Sequence, residues 1–479
     1  MTPSWESLRN HTMFRTKSID RLMEHCQGDH ALMRVLGPFE LILLGIGAVV
    51  GTGIFVITGV AAAHYAGPAI VLSFVISGII CILAALCYAE FSAMVPVAGS
   101  AYTYCYASLG EIWAWIIGWD LILEYAVSIS AVAIGWSAYV VNLLTNVGIN
   151  LPPYLVNPPG VAGGLINVPA ALIILFITAM LIIGMRESAR LNSIIVLINV
   201  SIILIFLALT YNHIDPSNWH PFMPFGITGV FAGAAIVFFA YIGFDAILTA
   251  AEEVEEPQKN LPRGIIGSVV IVMILYVCVA AALTGVVPYG DFIQTSAPVA
   301  FALDHIGMPW GAALISVGAL CGITSVILVT LYGQTRIFFA MARDGLLPSV
   351  FSDLHARFHT PAKITLFVGI ITAILACFIP LDDIAELVNI GTLAAFIIVA
   401  SGILVLRHVQ PALVRPFRCP WMPVIPLLCI ISCGILILML PFVTQLRFIL
   451  WMFIGLSVYF LFGMNHSTNR IDETTGNGD

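Results

Sequence analysis

Two sets of residues in this 479-residue chain could do chemistry. The first is a run of glycines, Gly45, Gly47, Gly51 and Gly53, in the stretch GIGAVVGTGIF (45–55), with Thr52 among them. That spacing suits a Gly-rich loop that cradles phosphate through its backbone N–H groups. It equally suits a face through which two helices approach closely, because Gly47 and Gly51 form a G-x-x-x-G pair. The second set is acidic. Asp120 and Glu124 lie four residues apart in GWDLILEY, on one face of a helix, and Glu90 and Asp245 sit within or beside apolar runs. A charge in hydrocarbon is costly, so each is a functional-site hypothesis. Glu124 reads as a proton carrier, a counter-charge for a cationic side chain, or an acid bonded to a hydroxyl for structure. Glu90 and Asp245 read as acids at cytoplasmic helix ends that help close an inner gate. Glu252 and Glu253 read as solvated or paired with loop arginines, and Glu111 fits either class.

These residues must be positioned by membrane-spanning helices. The chain is 60% hydrophobic and 9% charged, with a mean hydropathy of +1.03, whereas a soluble domain carries roughly 25% charged residues. Runs such as LPRGIIGSVVIVMILYVCVAAALTGVV (261–287) are long enough to cross ~30 Å of hydrocarbon as helices. The hydropathy pattern predicts about twelve crossings, with 101–147 holding one long bent helix and a short extra one. Of the 18 Lys and Arg residues, all but Arg447 fall on one side if both termini are cytoplasmic, as the positive-inside rule requires. The first 34 residues lack a signal peptide's apolar core and cleavage site and read as a retained tail. Ten scattered cysteines form no C-x-x-C pair, and eleven histidines form no cluster. A zinc site, a disulfide framework and a cofactor are therefore not expected. No Ser/His, paired-Asp or metal-ligand constellation suggests an intramembrane enzyme, and no ATP-binding domain suggests a pump.

Seen inside an apolar span, the opening glycines cannot follow a strand, which a dinucleotide or P-loop fold requires. Glycines each weaken a helix by roughly 1 kcal/mol relative to Ala, so four of them favour a break in the first span. A partner lies in VFFAYIGFDAILTAAEEV (237–254), where Gly243 and Asp245 interrupt the sixth span. Interrupted spans in matching positions of two halves point to an inverted-repeat transporter. Five spans from each break give helices 1–5 over 36–212 and helices 6–10 over 213–407. Helices 11 and 12 follow over 408–465, between cytoplasmic tails at 1–35 and 466–479. Irregular backbone at membrane depth is tolerated where it lines a cavity. Free N–H groups there suit a carboxylate and free carbonyls an ammonium; a substrate carrying both is an amino acid.

The motifs GIGAVVGTGIFVITG, CYAEFSAMVPVAGSAYTYCYASLGE, GWDLILEY, FFAYIGFDAILTAAEEVEEPQKNLPRGI and GQTRIFFAMARDGLLP together resemble the amino acid–polyamine–organocation superfamily. The likeness is greatest to the cationic amino acid transporter branch and its prokaryotic relatives, and it runs from about residue 36 to about 465. It implies an all-helical fold of the leucine-transporter type, with two five-helix inverted repeats plus two helices. It also implies sodium-independent movement of L-amino acids across the cytoplasmic membrane, with or without protons, and no nucleic acid or ATP as partner. Broad or cationic substrates stand slightly ahead of small neutral ones, and an amino acid sensor of the same fold is the reading from another class.

The resemblance also assigns roles. Gly51, Thr52 and Gly53 match the unwound first helix that receives the substrate carboxylate, and Val49 matches a carbonyl facing the ammonium. Phe239, Ala240 and Ile242 match the sixth-helix break, with Phe238 or Phe239 as an aromatic gate. Thr330 matches a position lining the side-chain pocket, where relatives with Met resemble small-amino-acid carriers; packing within a helix interface is its other reading. Asn199 stands where many proton-coupled relatives carry a Lys. An amide does not titrate, so either Glu124 carries the proton or transport is uniport or exchange.

Overall fold

The computed structural model describes residues 36–97, 100–161, 163–183, 189–353 and 360–467, with Thr16 and His355 besides. Most of the N-terminal tail, the C-terminal tail beyond Ser467 and the side chains of Arg186, Arg190 and Glu252 lie outside the described residues. The α-helices of eight residues or more run in this order: α1 (Pro38–Val49), α2 (Ile70–Met94), α3 (Ser100–Ser108), α4 (Glu111–Asn146), α5 (Val168–Ile183), α6 (Ala189–Thr210) and α7 (Gly226–Val237). The second set is α8 (Pro257–Val286), α9 (Pro298–His305), α10 (Pro309–Arg343), α11 (Ala362–Phe378), α12 (Leu381–Val409), α13 (Val424–Met439) and α14 (Phe442–Val458). A two-residue strand, Ile166–Asn167, bridges to Val156 and Asn157 in the connection before α5.

Among the described residues, eight helical runs are long and apolar enough to cross a membrane, and the shorter apolar helices α1, α5, α11 and α13 accompany them. The chain is a multi-pass helical membrane protein. The stretch 101–147 resolves into α3 and the long α4, whose 36 residues rise ~54 Å at 1.5 Å each. That exceeds the ~30 Å of a hydrocarbon core, so α4 reaches well beyond it. The most extensive pairings set α8 along α1 and α2, and α10 and α12 along α4.

Two interruptions lie at the middle of this assembly. The first follows α1: Val50 is extended (φ −78°, ψ 92°), and the chain resumes as a π-helical turn over Gly53–Ile57. The second follows α7: a 3-10 turn over Phe238–Tyr241, an extended Ile242 (φ −67°, ψ 139°), Gly243 at φ +112°, then a 3-10 segment over Phe244–Glu253. The left-handed φ at Gly243 is open to glycine at little cost and strained for other residues. The breaks cross backbone to backbone. A Cβ on Gly243 would lie 2.6 Å from the Ala48 carbonyl oxygen, and one on Gly53 would overlap the Ala240 backbone. Gly45 serves differently, since a Cβ there would meet the Ser268 Cβ of α8 at 2.6 Å. The opening glycines therefore divide between helix packing at Gly45 and the break at Gly51 and Gly53.

At the end of the bundle that carries the clustered arginines, the fully buried Glu90 of α2 is clamped. It accepts from Arg407 Nε at 2.9 Å and Nη2 at 2.5 Å, and from the Cys419 N–H at 2.7 Å. Arg415 Nε stands 3.4 Å away. The clamp ties α2 to the end of α12 and to the connection that follows.

Candidate functional site: a cavity at the crossing of two broken helices

The crossing forms a cavity of about 40 Å³, above the ~10–15 Å³ that one enclosed water requires. The first break contributes Val49, Gly51, Thr52 and Gly53 to its wall, and the second contributes Phe239, Ile242 and Asp245. From α4 come Glu124, Ser128 and Val132, and from α10 Val326, Val329 and Thr330. One turn further along the chain that leaves the first break, a larger cavity of about 570 Å³ opens between Val56, His64, Gly135, Asn142 and Asp382.

Breaking a helix frees carbonyls and N–H groups that must find partners. Two freed carbonyls are met by side chains from distant helices. Tyr276 Oη of α8 donates to Val49 O at 3.0 Å, and Asn199 Nδ2 of α6 donates to Val50 O at 3.1 Å. The Thr52 hydroxyl donates to Val132 O at 3.2 Å, which fastens the second half of the broken helix to α4. Thr330 donates to Val326 O of its own helix at 2.7 Å, a common habit of threonine in helices, so its hydroxyl is already engaged where it lines the cavity.

The wall has one apolar and one acidic side. Val132, Val326, Val329 and Ile242 make the apolar part. Glu124 is 3% exposed, its Oε2 has no hydrogen-bond partner among the described residues, and Thr392 of α12 sits against its carboxyl. Asp245 joins it on the cavity wall. A helix N-terminus that receives an anion, facing carbonyls that receive a cation, is the arrangement by which discontinuous helices hold a zwitterion.

Residues 36–463 match the amino acid permease family. The chain belongs to that family. It is 50% identical to the branched-chain amino acid permease BcaP of Bacillus subtilis (strain 168), over 95% of this chain and 98% of that protein. It is 48% identical to the methylthioribose transporter of the same organism, over 95% of this chain and 99% of that protein. It is also 37% identical to the vacuolar cationic amino acid transporter 4 of Arabidopsis thaliana, over 84% of this chain and 68% of that protein. The permease is thus a transporter for amino acids and not an enzyme, and it is a member of the superfamily that its motifs resemble.

In the permease, Val49, Gly51, Thr52, Gly53, Phe239, Ile242, Thr330 and Glu124 share one cavity, and the Ala240 backbone abuts Gly53 just beside them. Asn199 stands behind the first break, on the Val50 carbonyl. The two phenylalanines divide: Phe239 faces the cavity, while Phe238 is buried against Phe396, ring centroids 5.7 Å apart. Asp245, expected at an inner gate, is placed on the cavity wall with Glu124. Tyr276, Ser128 and the three valines escaped the sequence reading. Tyr276 left one trace, a lone phenol in an apolar run; the valines left none, because an apolar residue facing a cavity is indistinguishable in sequence from one facing lipid.

Proposed function

We propose that this permease carries L-amino acids across the cell membrane by alternating access, using twelve crossings arranged as two inverted five-helix repeats plus two helices, with both termini cytoplasmic. The observation that carries the reading is the crossing of two broken helices at one small cavity, with a freed helix start on one side and freed carbonyls on the other. The substrate carboxylate meets the N–H groups of Gly51, Thr52 and Gly53. Its ammonium meets the carbonyls of Val49 and of the turn at Phe239–Ile242. The Val49 oxygen keeps a second lone pair beyond its bond from Tyr276. The small central cavity must widen to admit a substrate, and the larger one beyond Thr52 is the outer vestibule through which it enters.

The side-chain subsite lies between Val132, Val326 and Val329, which suits a branched apolar side chain, and leucine, isoleucine and valine are the leading substrates. The likeness to a branched-chain amino acid permease, 50% identical to this chain, supports that order. A second reading, cationic substrates, is favoured by Glu124 and Asp245 on the same wall. Glu124 carries the coupled proton, since Asn199 holds the Val50 carbonyl and cannot titrate.

Purified protein in liposomes, loaded with or without an inward proton gradient and given labelled leucine and arginine, tests this. Leucine accumulation above equilibrium that collapses with the gradient is the expected outcome. Preferential arginine uptake would move the substrate reading to the acidic wall. Uptake that merely equilibrates would replace symport by facilitated diffusion or exchange, and no uptake of any amino acid would leave a sensor.

A further inference from the structure

Behind the cavity stands a second acid that the transport site does not use. Asp120 is 1% exposed, and neither of its carboxyl oxygens has a hydrogen-bond partner among the described residues. Buried polar groups ordinarily find partners, and an isolated buried carboxylate is too costly to persist. The ionisable group acting on Asp120 is Glu124, one helical turn further along α4. Both acids face the same glycine of α12: a Cβ on Gly391 would lie 2.8 Å from Asp120 Oδ1 and 3.7 Å from Glu124 Cβ. The absence of a side chain at 391 lets the α12 backbone close over the pair. The other titratable groups in electrostatic contact with Glu124 and its surroundings are Asp245 on the segment after the second break, Tyr88 on α2, Tyr104 on α3 and Tyr125 on α4; no cation is among them. Of the two acids, Glu124 touches the cavity and Asp120 does not. Asp120 is nearer the start of α4, where Glu111 accepts from the Ser467 hydroxyl at 2.6 Å and Tyr102 donates to Asp344, just past the end of α10, at 2.8 Å. That is the end of the bundle held by Glu90 and the arginines.

We propose that Asp120 is a second proton-holding carboxyl, one turn inward of Glu124, through which the coupled proton leaves the substrate site toward the basic end of the bundle. When that end opens, Asp120 releases its proton to water and becomes a carboxylate. The O–H bond of Glu124 then breaks as an O–H bond forms on Asp120, so the negative charge moves from Asp120 to Glu124. Glu124 takes the next proton from the cavity side, and no other reactant is needed. Among the described residues no cation acts on Asp120 or Glu124, and two carboxylates without a counter-charge cannot both stay ionised. Asp120 acts through Glu124 and is a positioning and relay residue, not a substrate contact. The inference rests on the proposal that Glu124 carries the coupled proton.

The test compares the full-length protein with Asp120→Asn and Asp120→Glu in liposomes, measuring leucine counterflow, gradient-driven leucine accumulation and the pH profile of uptake. Asp120→Asn should keep counterflow, which needs no net proton movement, and lose both accumulation and the pH dependence of uptake; Asp120→Glu should restore them. Accumulation and a pH profile unchanged in Asp120→Asn would overturn the relay while leaving Glu124 as carrier. A parent protein that exchanges leucine but never responds to the gradient would overturn the coupling reading and the relay with it. Infrared difference spectroscopy supplies a readout independent of transport and of any single variant's folding. One protonated-carboxyl component should persist in Glu124→Gln and shift in Asp120→Glu; a spectrum unchanged by every substitution at 120 would also overturn the assignment.

Discussion

The two carbonyls freed at the first break show what individual residues contribute. A buried carbonyl left without a donor costs ~1–3 kcal/mol, so Tyr276 and Asn199 hold the broken conformation in place from α8 and α6. Tyr276→Phe keeps the ring and its edge contact with Phe74 at 5.6 Å but removes the donor. Leucine affinity in a binding assay should weaken by about tenfold, the equivalent of ~1.4 kcal/mol, and an unchanged affinity would remove the Val49 carbonyl from the ammonium site. Thr330 makes a different kind of test. Its hydroxyl is spent on Val326 O, so its size decides. Thr330→Met should fill the subsite between the valines and shift preference from leucine toward alanine by ~10-fold or more, on the scale of a methylene or two in an apolar pocket. Competition uptake with both substrates reads that ratio.

At the scale of an element, glycines that look alike in sequence do different work. Gly243→Ala puts a Cβ on a left-handed residue and 2.6 Å from the Ala48 oxygen. The crossing of the two breaks should be lost, with no transport and a lower yield of monodisperse protein. Gly45→Ala meets Ser268 of α8 and overpacks a helix interface, typically for ~1–3 kcal/mol. It should lower the thermal unfolding midpoint while leaving the leucine-to-arginine preference unchanged, and an altered preference would mean that the α1–α8 interface shapes the site.

For the whole molecule, the Glu90 clamp joins α2 to α12 and the following connection at one end of the bundle. Removing one partner of a buried ion pair ordinarily costs ~3–5 kcal/mol, because a charge is stranded. Arg407→Ala should fall near or below the low end of that range, since Arg415 and the Cys419 N–H remain beside the carboxylate. Unfolding of purified protein should show the loss, with Arg407→Lys recovering part of it. If the clamp also closes the inner side, Arg407→Ala should speed leucine efflux relative to uptake; equal acceleration of both, or neither, would confine it to stability.

Much of this architecture is legible in the chain alone. Membrane insertion follows from 60% hydrophobic and 9% charged residues, and the helical spans from the length of the apolar runs, because hydropathy is a property of local sequence. The breaks at 50–53 and 242–243 are legible for the same reason: glycine loses helix stability wherever it stands, and its clusters interrupt otherwise continuous apolar runs. Glu124 was visible because a carboxyl in an apolar run has few innocent explanations. What distant segments do to one another was not visible. That Tyr276 and Asn199 satisfy consecutive carbonyls, that Phe239 and not Phe238 faces the cavity, and that Asp245 shares a wall with Glu124 depend on helix rotation and on contacts between residues tens to hundreds of positions apart. Asp120 is the plainest case. Its spacing from Glu124 is written in the sequence, but its burial without a hydrogen-bond partner among the described residues arises only when α12 packs over it with a glycine, and burial is a property of the packed helices and not of the chain.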